Sequence, residues 1–446
     1  MKTQANFRTY NPDQLMLMPL DLAQWLPQDH LVYFIRDVVG QLDLSGVYAS
    51  YDGSKGGYPA YHPEMMVVLL LYAYCVGMAS SRQIEKACEE AIPFRVLTAN
   101  QHPDHDTVAE FRRRHLKALA ALFIQVLHLC QKAGLVKLGH IALDGTKVKA
   151  NASKHTAMSY SRMQKNVAEL EAEVECLLQE AEAEDQRYGK GRRGDELPEG
   201  LRFKKTRLAK IKETKEALEQ EARGRAEQEE KEQKQNHRGR PPKPPVKGPD
   251  SKVQRNFTDP DSRIMKDSAT KSFAQAYNCQ VAVDSQTQVI VALQVTQQAN
   301  DRAQVKPLIK QLVSNIDEKP KQLSADNGYY SEENVGYLVE EGIEAFIATG
   351  RLKHTEEIPC VPRGRIPAMA TVKDRMARKL RTVKGREIYS RRKGIVEPVF
   401  GQIKNVRRFR QFLLRGMEKV SAEWDLICLG HNLLKLFRNA WAAAIV

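Results

Sequence analysis

From about residue 160 to 235 the chain cannot build a sheet, and this constrains the arrangement of everything around it. Charge is dense over this stretch and apolar residues are sparse. Those present, Val167, Leu170, Val174 and Leu177, then Leu208, Ile211 and Leu218, step at close to helical spacing, which reads as a packing seam rather than a ligand site. A polar loop, Tyr188-Gly-Lys-Gly-Arg-Arg-Gly-Asp-Glu-Leu-Pro-Glu-Gly200, separates the two runs. The pattern is that of an antiparallel helical hairpin. Ahead of it stands one strand pattern, Gly139-His-Ile-Ala-Leu-Asp144-Gly145-Thr146, whose partners begin only at Tyr277. The hairpin is therefore an insertion that cuts one domain after its first strand.

The remaining strands follow in close order. Cys279–Val283 and Gln288–Val295, joined by Asp284-Ser-Gln-Thr, form a hairpin. A helix is predicted over 302–313, then a strand, Lys321–Ala325, ending in Asp326-Asn327-Gly328. A second helix (331–341) and a strand (Glu344–Ala348) come next, and a basic, loop-rich stretch (349–385) leads to a helix holding Glu397. Three strands, a helix, a strand, a helix, a strand and a helix make the plan of a ribonuclease-H-like α/β core with a mixed sheet. Asp144 and Asp326 each end an apolar strand, so adjacent strands would bring both carboxylates to one edge, with Glu397 approaching from a helix. Carboxylates suit Mg²⁺, a hard ion, and two ions about 4 Å apart can assist both oxygens of an in-line phosphoryl displacement. Asp259, Asp261, Asp284 and Asp301 are competing acids, but none follows a strand in the equivalent order.

Three blocks carry a resemblance to the insertion-sequence DDE transposases over nearly the whole chain: Leu143-Asp144-Gly145-Thr146, Ala325-Asp326-Asn327-Gly328-Tyr329, and Tyr389 to Lys404. Related transposases carry a Y-(2)-R-(3)-E-(6)-K signature in the last block. Glu397 and Lys404 hold its E-(6)-K spacing here, whereas Lys393 takes the expected Arg position, with Arg392 adjacent, and Tyr389 sits one residue early. Asp106-Thr-Val-Ala-Glu-Phe-Arg-Arg resembles the helical domain ahead of such cores, and Asn256-Phe-Thr-Asp-Pro-Asp-Ser262 resembles the return to the core after the insertion. The resemblance implies a transposase with Asp144, Asp326 and Glu397 as catalytic metal ligands and two Mg²⁺ ions, with Mn²⁺ as a substitute. It implies binding of the element's terminal inverted repeats, cleavage and strand transfer by a metal-activated water and then a 3′-hydroxyl, and a homodimer during synapsis.

The N-terminal residues, 1–135, read as helical. Met65–Ala79 is a buried helix opened by Pro63, too short to span a bilayer. Thr107-Val-Ala-Glu110 is a capping-box pattern. It opens a helix whose Val108, Phe111, Leu119, Leu122, Val126 and Leu129 point inward and whose Arg112, Arg113 and Arg114 are exposed, which reads equally as the second half of a helix-turn-helix-like reader after a helix at 82–90 or as the solvated basic face of an ordinary helical bundle. The core comprises 136–155 and 256–446, the hairpin 156–235, and a basic linker 236–255 whose Arg238-Gly-Arg240-Pro resembles an AT-hook minor-groove arm, with a plain extended linker as the alternative. A formal charge of +14 and pI near 9.3 point to a polyanionic partner, DNA or RNA, with an ordinary basic surface as the alternative; the resemblance makes that partner double-stranded DNA. Tyr389, Arg391, Arg392, Lys393, Lys404, Arg407, Arg408, Arg410 and Arg415 are the backbone contacts expected around Glu397, and Phe409 and Phe412 are core anchors.

Seven scattered cysteines without a C-x-x-C pair argue against a zinc ribbon or a disulfide frame. His102 and His105 lack further ligands for a metal. With no signal-peptide pattern, the expected place is the cytoplasm, on the nucleoid. Two other classes compete with this reading. A repressor with a decayed core is disfavoured by the intact acids. A covalent recombinase using Tyr389 is disfavoured by the lack of a C-terminal Tyr.

Overall fold

The computed structural model describes residues 24–51, 59–188, 199–236, 248–266, 271–350, 361–362 and 364–444. Arg238, Arg240, most of the 188–200 loop and Cys360 lie outside the described residues. Two compact units divide the chain: residues 1–126 with 433–446, and residues 127–432.

The first unit is helical: α1 (Leu31–Val39), α2 (Ser45–Tyr48), α3 (Pro63–Cys75), α4 (Ser81–Glu90), α5 (Ile92–Leu97), α6 (His105–Arg114) and the first turns of α7 (Leu116–Lys132). Pro63 stands at the start of α3, where its missing N–H costs nothing. Ten consecutive residues, Met66–Cys75, are buried, as expected of a core helix. Two expectations are corrected. The Arg-bearing helix opens at His105, with Asp104 accepting from the Thr107 N–H (2.6 Å), and it breaks at His115 before α7 begins. A further helix, α5, stands between α4 and α6, so the three do not form a plain helix-turn-helix.

The second unit holds β1 (His140–Lys149), β2 (Ala157–Ser159), α8 (Tyr160–Tyr188), α9 (Glu199–Asn236), β3 (Gln254–Asn256), β4 (Arg263–Lys266), β5 (Phe273–Asp284) and β6 (Ile290–Thr296). These are followed by α10 (Val305–Ile316), β7 (Gln322–Ala325), α11 (Glu332–Glu340), β8 (Glu344–Ile347), α12 (Val372–Arg381), α13 (Val383–Gly401) and the greater part of α14 (Met417–Ala444). The main sheet runs β4-β5-β1-β7-β8, with β6 also on β5. Strands β6, β5 and β1 are antiparallel neighbours, and β1, β7 and β8 are parallel. This mixed α/β sheet fits the ribonuclease-H-like core of a DDE transposase. From Gln275 to Asp284 every residue of β5 is buried, as befits a strand paired on both sides and covered on both faces. Helix α10 shows the matching stripe, burying Val305, Leu308, Ile309, Leu312 and Ile316.

The inserted helices pack along the expected seam. Met163, Val167, Leu170, Ile211 and Leu218 are buried together. The pairs Tyr160–Glu219 (2.7 Å), Glu171–Lys212 (2.6 Å) and Glu173–Lys204 (3.0 Å) run in opposite directions along α8 and α9, so the helices are antiparallel. At their base β2 and β3 pair antiparallel, which closes the insertion where the chain leaves and returns. Residues 372–381, expected to be loop, are the helix α12, fixed at its start by a reciprocal Thr371–Asp374 capping box.

Candidate active site

Each acid owes its position to a different element. Asp144 lies in mid-strand, not at a strand tip, because β1 continues to Lys149 alongside β5. Its pairing with β7 stops at Ala142. Asp326 directly follows β7 and caps the short turn Asn327–Tyr329, its Oδ1 accepting from the Gly328 N–H (2.8 Å). The two acids therefore flank the place where β1 and β7 part. Asp144 Oδ1 accepts from the Gly145 N–H (2.8 Å), and Oδ2 accepts from Arg392 (3.2 Å). Burial pushes the Asp144 carboxyl up to about 6, against the lowering pull of Arg392, and the nearby charges of Asp326 and Asp301 push in the same direction.

Helix α13 brings the basic groups. Arg392, one residue before the signature's basic position, is the side chain that reaches Asp144, while Lys393 is exposed. Arg392 also lies over the Tyr389 ring, 5.9 Å from its centroid. Burial pushes the Tyr389 phenol up. Pro398 inside α13 cannot donate to the Gly394 carbonyl. The Gln288 side-chain amide donates to that carbonyl instead (2.9 Å). After α13 a π-turn over Gln402–Val406 sets Lys404, whose ammonium donates to Thr146 Oγ1 and the Lys147 carbonyl (both 2.9 Å). Glu397 lies on α13 between Arg392 and Lys404, and its side chain is exposed, with no ion pair or hydrogen bond to either aspartate.

Two expected DNA contacts are corrected. Arg112 is buried and donates to Tyr74 Oη (3.3 Å) and the Ala79 carbonyl (2.6 Å), so it braces the helical unit. Arg407 is buried and donates to the Ile427 carbonyl (2.9 Å), so it braces α14. Arg113 and Arg114 are exposed, Arg113 pairing with Glu110 and Arg114 donating to the Ser50 carbonyl. Arg408 is exposed at a positive φ of 63°, and Arg391 pairs with Glu387. Phe412 is buried edge-on between Tyr277 and Trp424, at 6.0 and 6.5 Å.

A family model described as "Transposase domain (DUF772)" matches residues 20–114, and one described as "Transposase DDE domain" matches residues 245–433. The chain belongs to the insertion-sequence DDE transposases. It is a DNA transposase, and the family implies DNA binding and polynucleotidyl-transferase or endonuclease chemistry. DDE domains generally use divalent metals. Searches of curated proteins and of solved structures returned no match. Among the described residues no helix is long and apolar enough to cross a membrane.

The donor chemistry of this transposase fits such a metal. Its acids offer oxygen ligands alone, and Gly328 keeps a side chain out of the space between two of them, whereas the place of a Cβ on Gly145 is taken by the Gln280 amide, 2.2 Å away. A Cβ on Gly328 would stand 3.0 Å from Asp326 Oδ1 and 3.1 Å from Asp301 Oδ2. Among the described residues no three acidic, His or Cys side chains stand close enough to enclose one ion. Mg²⁺ tolerates that spacing, because it keeps several waters and takes one or two carboxylates directly.

Beside these acids lies a polar group that the sequence alone did not single out. Asn278 and Gln280 are fully buried on β5, and Asp301 comes in beside them. The available signal was two amides at i and i+2 in an otherwise apolar central strand, which need buried partners. The other acids set aside are structural. Asp284 accepts from the Lys137, Leu138 and Gln286 N–H groups, Asp259 from Tyr277 and Gly416, and Asp261 from Met417.

Proposed function

We propose that this transposase binds the terminal inverted repeats of its own element, hydrolyses the 3′ ends, and joins them to target DNA, with Asp144, Asp326 and Glu397 holding two Mg²⁺ ions. The observation that carries this reading is the meeting of Asp144 and Asp326 where β1 and β7 part, with α13 tied to β1 on either side of Glu397 by Arg392 and Lys404. The metal supplies charge neutralisation at the phosphate and an activated oxygen at neutral pH, with Mn²⁺ able to replace Mg²⁺. In the first step a water oxygen attacks the scissile phosphorus and the 3′ oxygen leaves. In the second that 3′-hydroxyl attacks a target phosphorus and the target's own 3′ oxygen leaves. No covalent protein–DNA link is formed.

The protein's part is to hold carboxylates at fixed positions and to supply positive charge. Arg392 and Tyr389 stand beside the aspartates, and the exposed Lys393 and Arg408 would meet the DNA backbone, with Arg113, Arg114, Arg238 and Arg240 as further DNA contacts. Two ends must be held at once, so the reacting form is at least a homodimer, working on the nucleoid in the cytoplasm. The test is strand cleavage of a duplex carrying the element end, beside gel-shift binding of the same duplex. Asp144→Asn, Asp326→Asn and Glu397→Gln are each expected to lose cleavage by on the order of 10³-fold, the loss of several kcal/mol of charge stabilisation. Binding is expected to stay within about threefold. Wild-type cleavage by all three variants would overturn the assignment.

A further inference from the structure

Asp301 follows β6 and stands at the start of the turn Arg302–Gln304, yet its side chain does not cap that turn. It faces the site instead. Its Oδ1 accepts from Asn278 Nδ2 (2.7 Å) and Gln280 Nε2 (2.6 Å). Those amides are themselves fixed, Asn278 donating also to the Gln298 carbonyl (3.0 Å) and Gln280 accepting from Tyr329 Oη. Both amide side chains are fully buried on β5, the strand that pairs with β1 across Asp144. Two N–H donors on one carboxylate oxygen lock its orientation and leave the other oxygen aimed outward. That oxygen, Oδ2, takes no hydrogen bond from any described residue and faces the space over Gly328 that Asp326 Oδ1 also borders. Asp301 Oδ1 lies 3.0 Å from where a Cβ on Gly145 would sit. The acid is thus wedged between the two glycines that follow the two aspartates.

A carboxylate set beside two others is unfavourable unless something positive is shared among them. Arg392 answers for Asp144, and no cation is paired with Asp301 among the described residues. An orienting amide pair behind a carboxylate is the arrangement that fixes a metal ligand.

We propose that Asp301 is a further carboxylate of this centre, its Oδ2 sharing a divalent metal with Asp326, with Asn278 and Gln280 as its positioning residues. The proposal rests on the metal-dependent reading above, and the experiment separates the two. Terbium(III), a hard cation that takes oxygen ligands, is titrated into the full-length protein, and its emission is read on exciting tyrosine, with Tyr329 and Tyr389 as the nearby sensitisers. Asp301→Asn keeps an oxygen to accept from both amides and removes the charge. It is expected to weaken terbium binding by about 10- to 100-fold, as are Asp144→Asn and Asp326→Asn, while the exposed Glu340→Gln control stays at wild-type affinity.

Wild-type affinity in Asp301→Asn, with the other two weakened, would overturn the role of Asp301 and leave the metal reading standing. Wild-type affinity in all three, or no sensitised emission from the wild type, would contradict both. Should Asp301→Asn fold poorly, as read by its melting temperature, the wild-type protein decides. Iron(II) with ascorbate and peroxide is expected to cut the backbone near residues 144, 301 and 326. Cuts at the first and last without the middle one would overturn the proposal.

Discussion

Single residues carry both the chemistry and much of the strain of this fold. Asp425 on α14 is a clear case: burial alone pushes its carboxyl up to about 7. A raised folded-state value means the folded protein holds a proton that the unfolded chain releases near pH 4. The associated stability is complete below that pH and is lost as pH rises toward 7. Asp425→Asn is therefore expected to be the more stable form at pH 8, by up to a few kcal/mol, and to flatten the melting-temperature slope between pH 4 and 7. An unchanged slope would contradict this. At this scale the sequence was legible where chain neighbours decide: Asp326 before Asn-Gly caps a turn as its local pattern requires. It was not legible for Asp301, whose place depends on amides that lie 21 and 23 residues away in the chain. Nor did it reveal that Arg112 turns inward, since three consecutive arginines look alike until the helix is packed.

Elements position those residues, and the junction of α12 and α13 is the tightest joint near the site. A Cβ on Gly385 would stand 2.0 Å from the Lys379 carbonyl oxygen and 3.0 Å from Leu380 Cα. Those are backbone atoms that cannot swing aside, so Gly385→Ala must displace α13, which carries Arg392 and Glu397. The expected result is a loss of more than about 2 kcal/mol in a denaturant melt, together with reduced cleavage; wild-type values for both would sink this account of the joint. The inserted helices form a separate joint. Leu218→Ala is expected to cost about 2–4 kcal/mol, with hydrogen exchange accelerated in α8 and α9 and little changed in β1 and β5. Uniform acceleration would show that the insertion does not melt separately. The seam of α8 and α9 was readable from apolar spacing alone. Helix α12 was not, because Met376 is its only buried residue, although Thr371-x-x-Asp374 carried the capping signature. The break at His115 also escaped, since apolar spacing continues across it into α7.

At the scale of the whole molecule, the sheet order and the family match agree on one architecture: an antiparallel β6-β5-β1 set continued in parallel by β7 and β8, opened after β1 by a charged helical pair. The net charge of +14 suits the DNA binding that the family implies. Lys393→Ala with Arg408→Ala is expected to weaken end binding and to lower the slope of log affinity against log salt by about 2, one per phosphate contact; an unchanged slope would remove both from the DNA path. We propose that Asp144, Asp326 and Glu397 serve one metal-dependent centre. Replacing each by cysteine tests it most directly, because a thiolate suits Mg²⁺ poorly and softer ions better. Each variant is expected to be inactive in cleaving end-containing DNA with Mg²⁺ and to regain part of that activity with Mn²⁺. Cleavage at the wild-type level with Mg²⁺ by all three would contradict the account.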